Sequence, residues 1–108
     1  MGDGPSTTLL VWDGQGTAEI MLVGGVDRAT DHALDDALAQ LLVDPRIRHI
    51  DIDVALVESC DFGGLTTLLR AHHLAANFGV PLQLAQAGPG LRRTLSAMGL
   101  SELLLKSP

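Results

Sequence analysis

Three aspartates, Asp27, Asp53 and Asp61, stand at the ends of strand-like stretches or in the loops beyond them. Such ends should converge on one rim of a sheet. Carboxylates gathered there can meet basic groups, or a metal held by a partner's nucleotide. Aspartate is also the residue that caps helices and closes turns. Capping accounts best for Asp27 and Asp61; Asp53 either fixes its own loop or makes a contact. The run Asp61-Phe62-Gly63-Gly64-Leu65 is the most informative segment. Its glycines permit close backbone approach and leave N–H groups pointing outward at a helix start, a setting that suits a phosphate. The run has neither the lysine nor the length of a P-loop. A turn that needs small residues is the better account.

The remaining chemistry-bearing residues assemble no recognisable site. His32, His49, His72 and His73 show no His-x-x-x-His spacing, and no Cys-x-x-Cys exists, so neither a metal nor another cofactor is expected. His72 reads as a helix residue at the core boundary and His73 as an exposed one. Ser59, Asp61 and a histidine lack the spacing of a hydrolytic triad, and no enzyme is expected. Cys60 lies beside Asp61, whose charge raises a thiol pKa and lowers reactivity. As the only cysteine it forms no intramolecular disulfide. Arg70, Arg92 and Arg93 suit an interface or a solvated helix face equally well.

These residues need a scaffold, and the pattern supplies one. Residues 1–6, with Gly2, Gly4 and Pro5, read as a flexible lead-in, and residues 7–108 as one domain. Thr7 to Trp12 reads as a strand, Asp13-Gly14-Gln15-Gly16 as a turn, and Ala18 to Val23 as a second strand pairing with the first. Gly24-Gly25-Val26-Asp27 breaks the pattern. A helix follows to about Leu42, capped by Asp27 or Thr30, with Leu34, Leu38, Leu41 and Leu42 on one face. Asp44-Pro45 ends it. Ile47 to Val57 is strand-like, and a loop through Glu58 leads to Asp61. A second helix runs from about Gly64 to Phe78, with Leu65, Leu68, Leu69, His72 and Ala76 along its buried stripe and Gly79 at its end. Its opposite side presents Thr66, Thr67, Arg70 and His73. Pro81 to Ala85 is a short strand. A third helix buries Leu91, Leu95 and Met98 and stops at Gly99, and Ser101 begins a short last helix. A hairpin followed by alternating helices and strands predicts an α/β domain, with a mixed sheet of four or five strands and helices packed mainly on one face.

Composition narrows the function. The chain has 108 residues, 46% apolar and 3% aromatic, so one core of Leu, Val, Ile and Ala is expected. The net charge of −6 offers no basic stripe to displace counterions, which argues against nucleic-acid binding. An acidic surface suits a basic protein partner and also aids solubility. No apolar run reaches the length of a membrane span, and Met1 to Ser6 does not resemble a secretory signal. A cytoplasmic location without direct membrane insertion is the expectation.

Across Thr7 to Leu104 the chain resembles the STAS domain, the family of sulfate transporters and anti-sigma factor antagonists. Asp61-Phe62-Gly63-Gly64-Leu65 is similar to that family's loop, commonly Asp-Ser-Ser/Thr-Gly-Leu. Gly25-Val26-Asp27 resembles its Gly-x-Leu-Asp element, and Ile50-Asp51-Ile52-Asp53 its central strand. Ala71 to Gly79 resembles the long second helix with its glycine stop. Leu91-Arg92-Arg93 to Met98-Gly99-Leu100 resembles the third helix and its exit. Order and spacing carry the likeness, since each short match alone recurs by chance.

The resemblance implies partner binding rather than catalysis. A free-standing domain of this kind is most similar to the antagonists, which bind an anti-sigma factor, often a serine kinase. Phosphorylation of the loop serine ends that binding. Here the acceptor position is Phe62, which has no hydroxyl, and Gly63 replaces the next serine or threonine. The partner surface implied is Asp27, Asp53, Asp61, Phe62, Gly63, Gly64, Thr66, Thr67, Arg70 and His73. Phe62 either anchors a partner or folds inward to plug the loop. A homodimer is compatible with this reading. The alternative role is a scaffold subunit of a transporter or stressosome-type assembly.

Overall fold

A computed structural model describes residues 7–12 and 15–106. The lead-in over residues 1–6 and the turn residues Asp13 and Gly14 lie outside the described residues. The element order is β1 (Thr7–Trp12), β2 (Thr17–Val26), α1 (Thr30–Leu42), β3 (His49–Cys60), α2 (Phe62–Asn77), β4 (Leu82–Ala85), α3 (Pro89–Ala97) and α4 (Ser101–Leu104). The four strands form one sheet in the order β1-β2-β3-β4. β1 and β2 are antiparallel, with Trp12 opposite Ala18. β2, β3 and β4 are mutually parallel, because a helix returns the chain between each pair. Leu105 adds a single parallel bridge to Leu84.

Alternation sets which face of the sheet is buried. Ala18, Ile20 and Leu22 on β2, Ile50, Ile52 and Val54 on β3, and Leu82 and Leu84 on β4 all point into one core. Leu34 and Leu38 from α1, Leu65 and Leu68 from α2, Leu95 from α3 and Leu104 from α4 close over them. Asp51 lies on the opposite face yet is buried, because Lys106 Nζ covers it at 2.7 Å from Oδ2 and His49 Nε2 lies 2.6 Å from Oδ1.

Two strands run further than their patterns indicate. β2 continues through Gly24-Gly25-Val26, where a break was expected. Gly24 has φ +97°, which lets the strand bend without ending. β3 continues to Cys60, through the expected loop. It gains one residue on β2 between the pairs Met21–Asp53 and Val23–Leu56, and another between Gly24–Val57 and Gly25–Ser59. These are bulges, which keep pairing while turning side chains out of phase.

The buried stripe of α2 is rotated from the expected one. It comprises Gly64, Leu65, Thr67, Leu68, Ala71 and Ala75; Ala76 is exposed, and Leu69 and His72 lie at the flank. Small side chains bring the helix close to the sheet, and a reading that follows the largest apolar residues misses that phase. His72 Nδ1 sits 2.8 Å from the Leu82 carbonyl and ties the flank to β4. In the third helix Leu95 is buried and Leu91 half-buried, but Met98 lies past the helix end and is exposed. Gly79 and Gly99 end their helices with φ +76° and +71°.

Candidate functional site

The C-terminal ends of β2 and β3 meet the start of α2. Asp61 is the N-cap of α2, in extended geometry, and its Oδ1 accepts the Gly64 N–H at 2.7 Å. Gly64 is buried against β2: a Cβ there would collide with the Val26 carbonyl group and lie 3.1 Å from Cys60 Sγ. The Asp61 N–H donates to the same Val26 carbonyl at 3.3 Å. The loop is therefore clamped on both sides. A clamped backbone fixes where the next side chain points, and Phe62 points out, 71% exposed. The plug alternative for Phe62 is not what the structure shows.

Asp27 closes the neighbouring turn. Its Oδ1 accepts the Ala29 N–H at 2.9 Å, and its own N–H donates to Thr30 Oγ1 at 3.2 Å. The N-cap position of α1 is Ala29, so Asp27 braces the turn before the helix rather than capping it. Thr67 is buried, contrary to the exposed position expected. Its hydroxyl donates to the Gly63 carbonyl at 3.1 Å and reaches the Asp27 carbonyl at 3.4 Å. The threonine thus joins the two loops and is turned away from solvent. Thr66 is exposed and its hydroxyl donates to the Phe62 carbonyl at 3.1 Å.

Asp27 and Asp61 line one small cleft with Gly25, Val26, Ser59 and Cys60. Asp53 does not line it. Asp53 sits mid-strand on the less covered face of the sheet, and its Oδ1 accepts the Ala55 N–H at 2.9 Å. That is the loop-fixing role, transferred to the first bulge. Arg70 turns toward α1, where its Nη2 donates to both oxygens of Asp35 at 3.0 and 2.9 Å. His73 is exposed on the outer side of α2.

A larger cleft of about 360 Å³ adjoins the first. Val54, Val57 and Leu91 give it apolar walls, and Glu58, Ser59 and Cys60 line its upper part. Sequence reasoning missed it, because it depends on the extension of β3. Burial, and after it the Asp61 charge, push the Cys60 thiol up to about 11. Among the described residues no cluster of three or more His, Cys, Asp or Glu could hold a metal, and no helix is long and apolar enough to cross a membrane.

An anti-sigma factor antagonist from Mycobacterium paratuberculosis superposes with a TM-score of 0.73 at 25% identity, over 93% of this chain and 83% of that one. The Bacillus cell-fate determinant SpoIIAA in its phosphorylated form gives 0.70 at 15%, over 94% and 92%. A sulfate transporter family protein from Wolinella succinogenes gives 0.70 at 18%, over 82% and 71%. The last two likenesses are of fold. Comparison with curated proteins by sequence returns no match. The profile of the family described as Mlab, STAS domain matches residues 12–106, and this chain therefore belongs to the STAS-domain family.

Proposed function

We propose that this protein is a non-catalytic regulator that binds another protein in the manner of an anti-sigma factor antagonist. One observation carries the reading: Phe62 stands 71% exposed on a loop held rigid by Asp61, Gly64 and Val26. An aromatic ring presented on a fixed backbone loses little freedom on docking and suits an interface anchor. Asp27, Asp61 and Thr66 lie at the same end of α2, Gly63 and Gly64 keep the loop low, and His73 is exposed about three turns further along the helix. The partner in this reading is an anti-sigma factor, including one with serine kinase activity, and the setting is the cytoplasm. Thr67 is buried beneath this surface, whereas Arg70 is exposed at its edge and paired with Asp35 of α1.

Phe62→Ala should weaken binding to the anti-sigma factor by about 2 kcal/mol with little change in melting temperature. Calorimetry with the partner and a thermal melt of the variant measure the two effects. Unchanged affinity would remove the loop from the interface. Incubation with a cognate anti-sigma kinase and ATP should leave position 62 unmodified, since phosphoryl transfer needs a hydroxyl in line with the γ-phosphate. Phe62→Ser should restore an acceptor at the α2 N-terminus, where exposed N–H groups favour a phosphate. Mass spectrometry reads both results. Stoichiometric phosphate on wild-type Ser59 or Thr66 would place the switch elsewhere.

A second reading is a scaffold subunit in a transporter assembly. Its support is the fold likeness to the Wolinella sulfate transporter family protein. A pull-down from the native cell that recovers a permease or ATPase subunit instead of an anti-sigma factor would favour it.

A further inference from the structure

β4 stops short of the strand it pairs with. It lies beside Ile50 to Asp53 and ends at Ala85, after which Gln86, with φ +65°, turns the chain toward α3. β3 runs on from Val54 to Cys60. One edge of that stretch pairs with β2. On the other edge no strand lies beside it among the described residues. The larger cleft occupies this vacant strand position, with β3 as one wall and the start of α3 as the other. Glu58 and Ser59, which line the cleft, are exposed, as are Ala55 and Leu56 on the same stretch of β3. A free edge presents backbone donors and acceptors that an incoming extended chain can pair, while pockets for alternate side chains select its sequence.

The charge of the two adjoining clefts selects the occupant. Their linings contain Asp27, Glu58 and Asp61 and no lysine, arginine or histidine. Among the described residues none of these three carboxylates forms a salt bridge. The whole chain carries a net charge of −6. We propose that the upper edge of β3 is a strand-addition site for an extended basic segment of a partner protein. Apolar side chains of the segment pack on Val54, Val57 and Leu91, and its lysines or arginines meet Glu58 and Asp61. The inference rests on the reading that this end of the molecule meets a partner, and it adds a second contact beside the Phe62 anchor.

The test uses two blocked pentapeptides, acetyl-Lys-Val-Lys-Val-Lys-amide and its Glu-for-Lys counterpart, titrated into the ¹⁵N-labelled full chain. The basic peptide should shift the amides of residues 54–60 and 88–94 and bind about tenfold tighter than the acidic one. Methylating alternate backbone nitrogens of the basic peptide should abolish the shifts, because strand pairing needs those N–H groups. Glu58→Lys should weaken the basic peptide, whereas Phe62→Ala should leave its affinity unchanged. The Phe62 variant separates this proposal from the anchor reading, which can fail or hold independently. Equal affinity for both peptides, full binding after N-methylation, or shifts confined to other residues would overturn the proposal. Shifts of residues 54–60 on raising protein concentration without peptide would assign the edge to a second copy of the chain and also overturn it.

Discussion

From Ile50 to Asp53, β3 is flanked by β2 and β4; from Val54 to Cys60 it keeps only β2 and carries two bulges. Composition separates the two halves, but in the direction opposite to their burial. Ile50-Asp51-Ile52-Asp53 alternates apolar and acidic residues, whereas Val54-Ala55-Leu56-Val57 is wholly apolar. The alternating half is nevertheless the buried one: Ile50 and Ile52 are fully enclosed, and Leu56 is 54% exposed. Pairing on both edges satisfies the backbone and lets helices close over the side chains. Where one partner strand ends, even an apolar stretch is left partly as surface, with Ala55 and Leu56 exposed. The lower half of β3 holds the domain together, and the upper half, with the α2 loop, forms its candidate contact surface.

The junction of the two regions is the Gly64 contact, and breaking it should have the largest effect. In Gly64→Ala the new methyl meets the Val26 carbonyl group, which is backbone and cannot rotate aside. The α2 start must move off β2, so the Asp61–Gly64 cap and the Thr67 link loosen together. A loss of about 4 kcal/mol is expected in urea melts, enough to unfold a marginal domain. A loss under about 1 kcal/mol would mean that the loop is not clamped as described.

The contrast within β3 can be sharpened by a matched pair. Ile52→Ala removes a fully buried side chain from the doubly paired half and should cost about 3 kcal/mol. Leu56→Ala truncates an exposed side chain and should cost within about 0.5 kcal/mol. Chemical denaturation of both variants reads the difference. Equal losses would show that the upper half is packed in solution and is not free for contact.

The sequence made some of this legible and hid the rest for physical reasons. Element order followed from Gly, Pro and Asp punctuation and from helix and strand periods, all of which are local. The Asp61 cap was legible too, since aspartate before two glycines and an apolar periodic run is a local signal. The bulges were not: an extra residue is accommodated by the partner strand, and nothing in β3 alone marks it. Gly24-Gly25 looked like an ending because glycine is a turn former, yet here it supplies a bend inside β2. The burial of Thr67 was hidden because its hydroxyl is satisfied by carbonyls of its own helix and of the Asp27 turn, a tertiary arrangement. The direction of Phe62 depends on the Gly64–Val26 contact, made across a long separation in the chain. Local signals therefore marked the candidate loop at the start of α2, while non-local contacts set which of its side chains are exposed.

An effect smaller than those at Gly64 and Ile52 concerns Cys60, where the paired strand gives way to the clamped loop. Burial first, then the neighbouring Asp61 charge, raise its thiol from the ordinary value of 9.0 to about 11. The folded chain thus holds this proton more tightly than the unfolded chain does. The resulting stability is fully present below pH 9.0 and is lost as pH rises from there through about 11. The group is only half-buried, so solvent screening keeps the contribution to about 1 kcal/mol. Alkylation of the folded protein by iodoacetamide should reach half its limiting rate near pH 11, against about 9 in denaturant. Cys60→Ser should remove the extra decline in stability over the same interval. A folded-state midpoint near 9 would mean that water reaches the thiol freely, and the end of β3 would then belong with the open upper half rather than with the clamp.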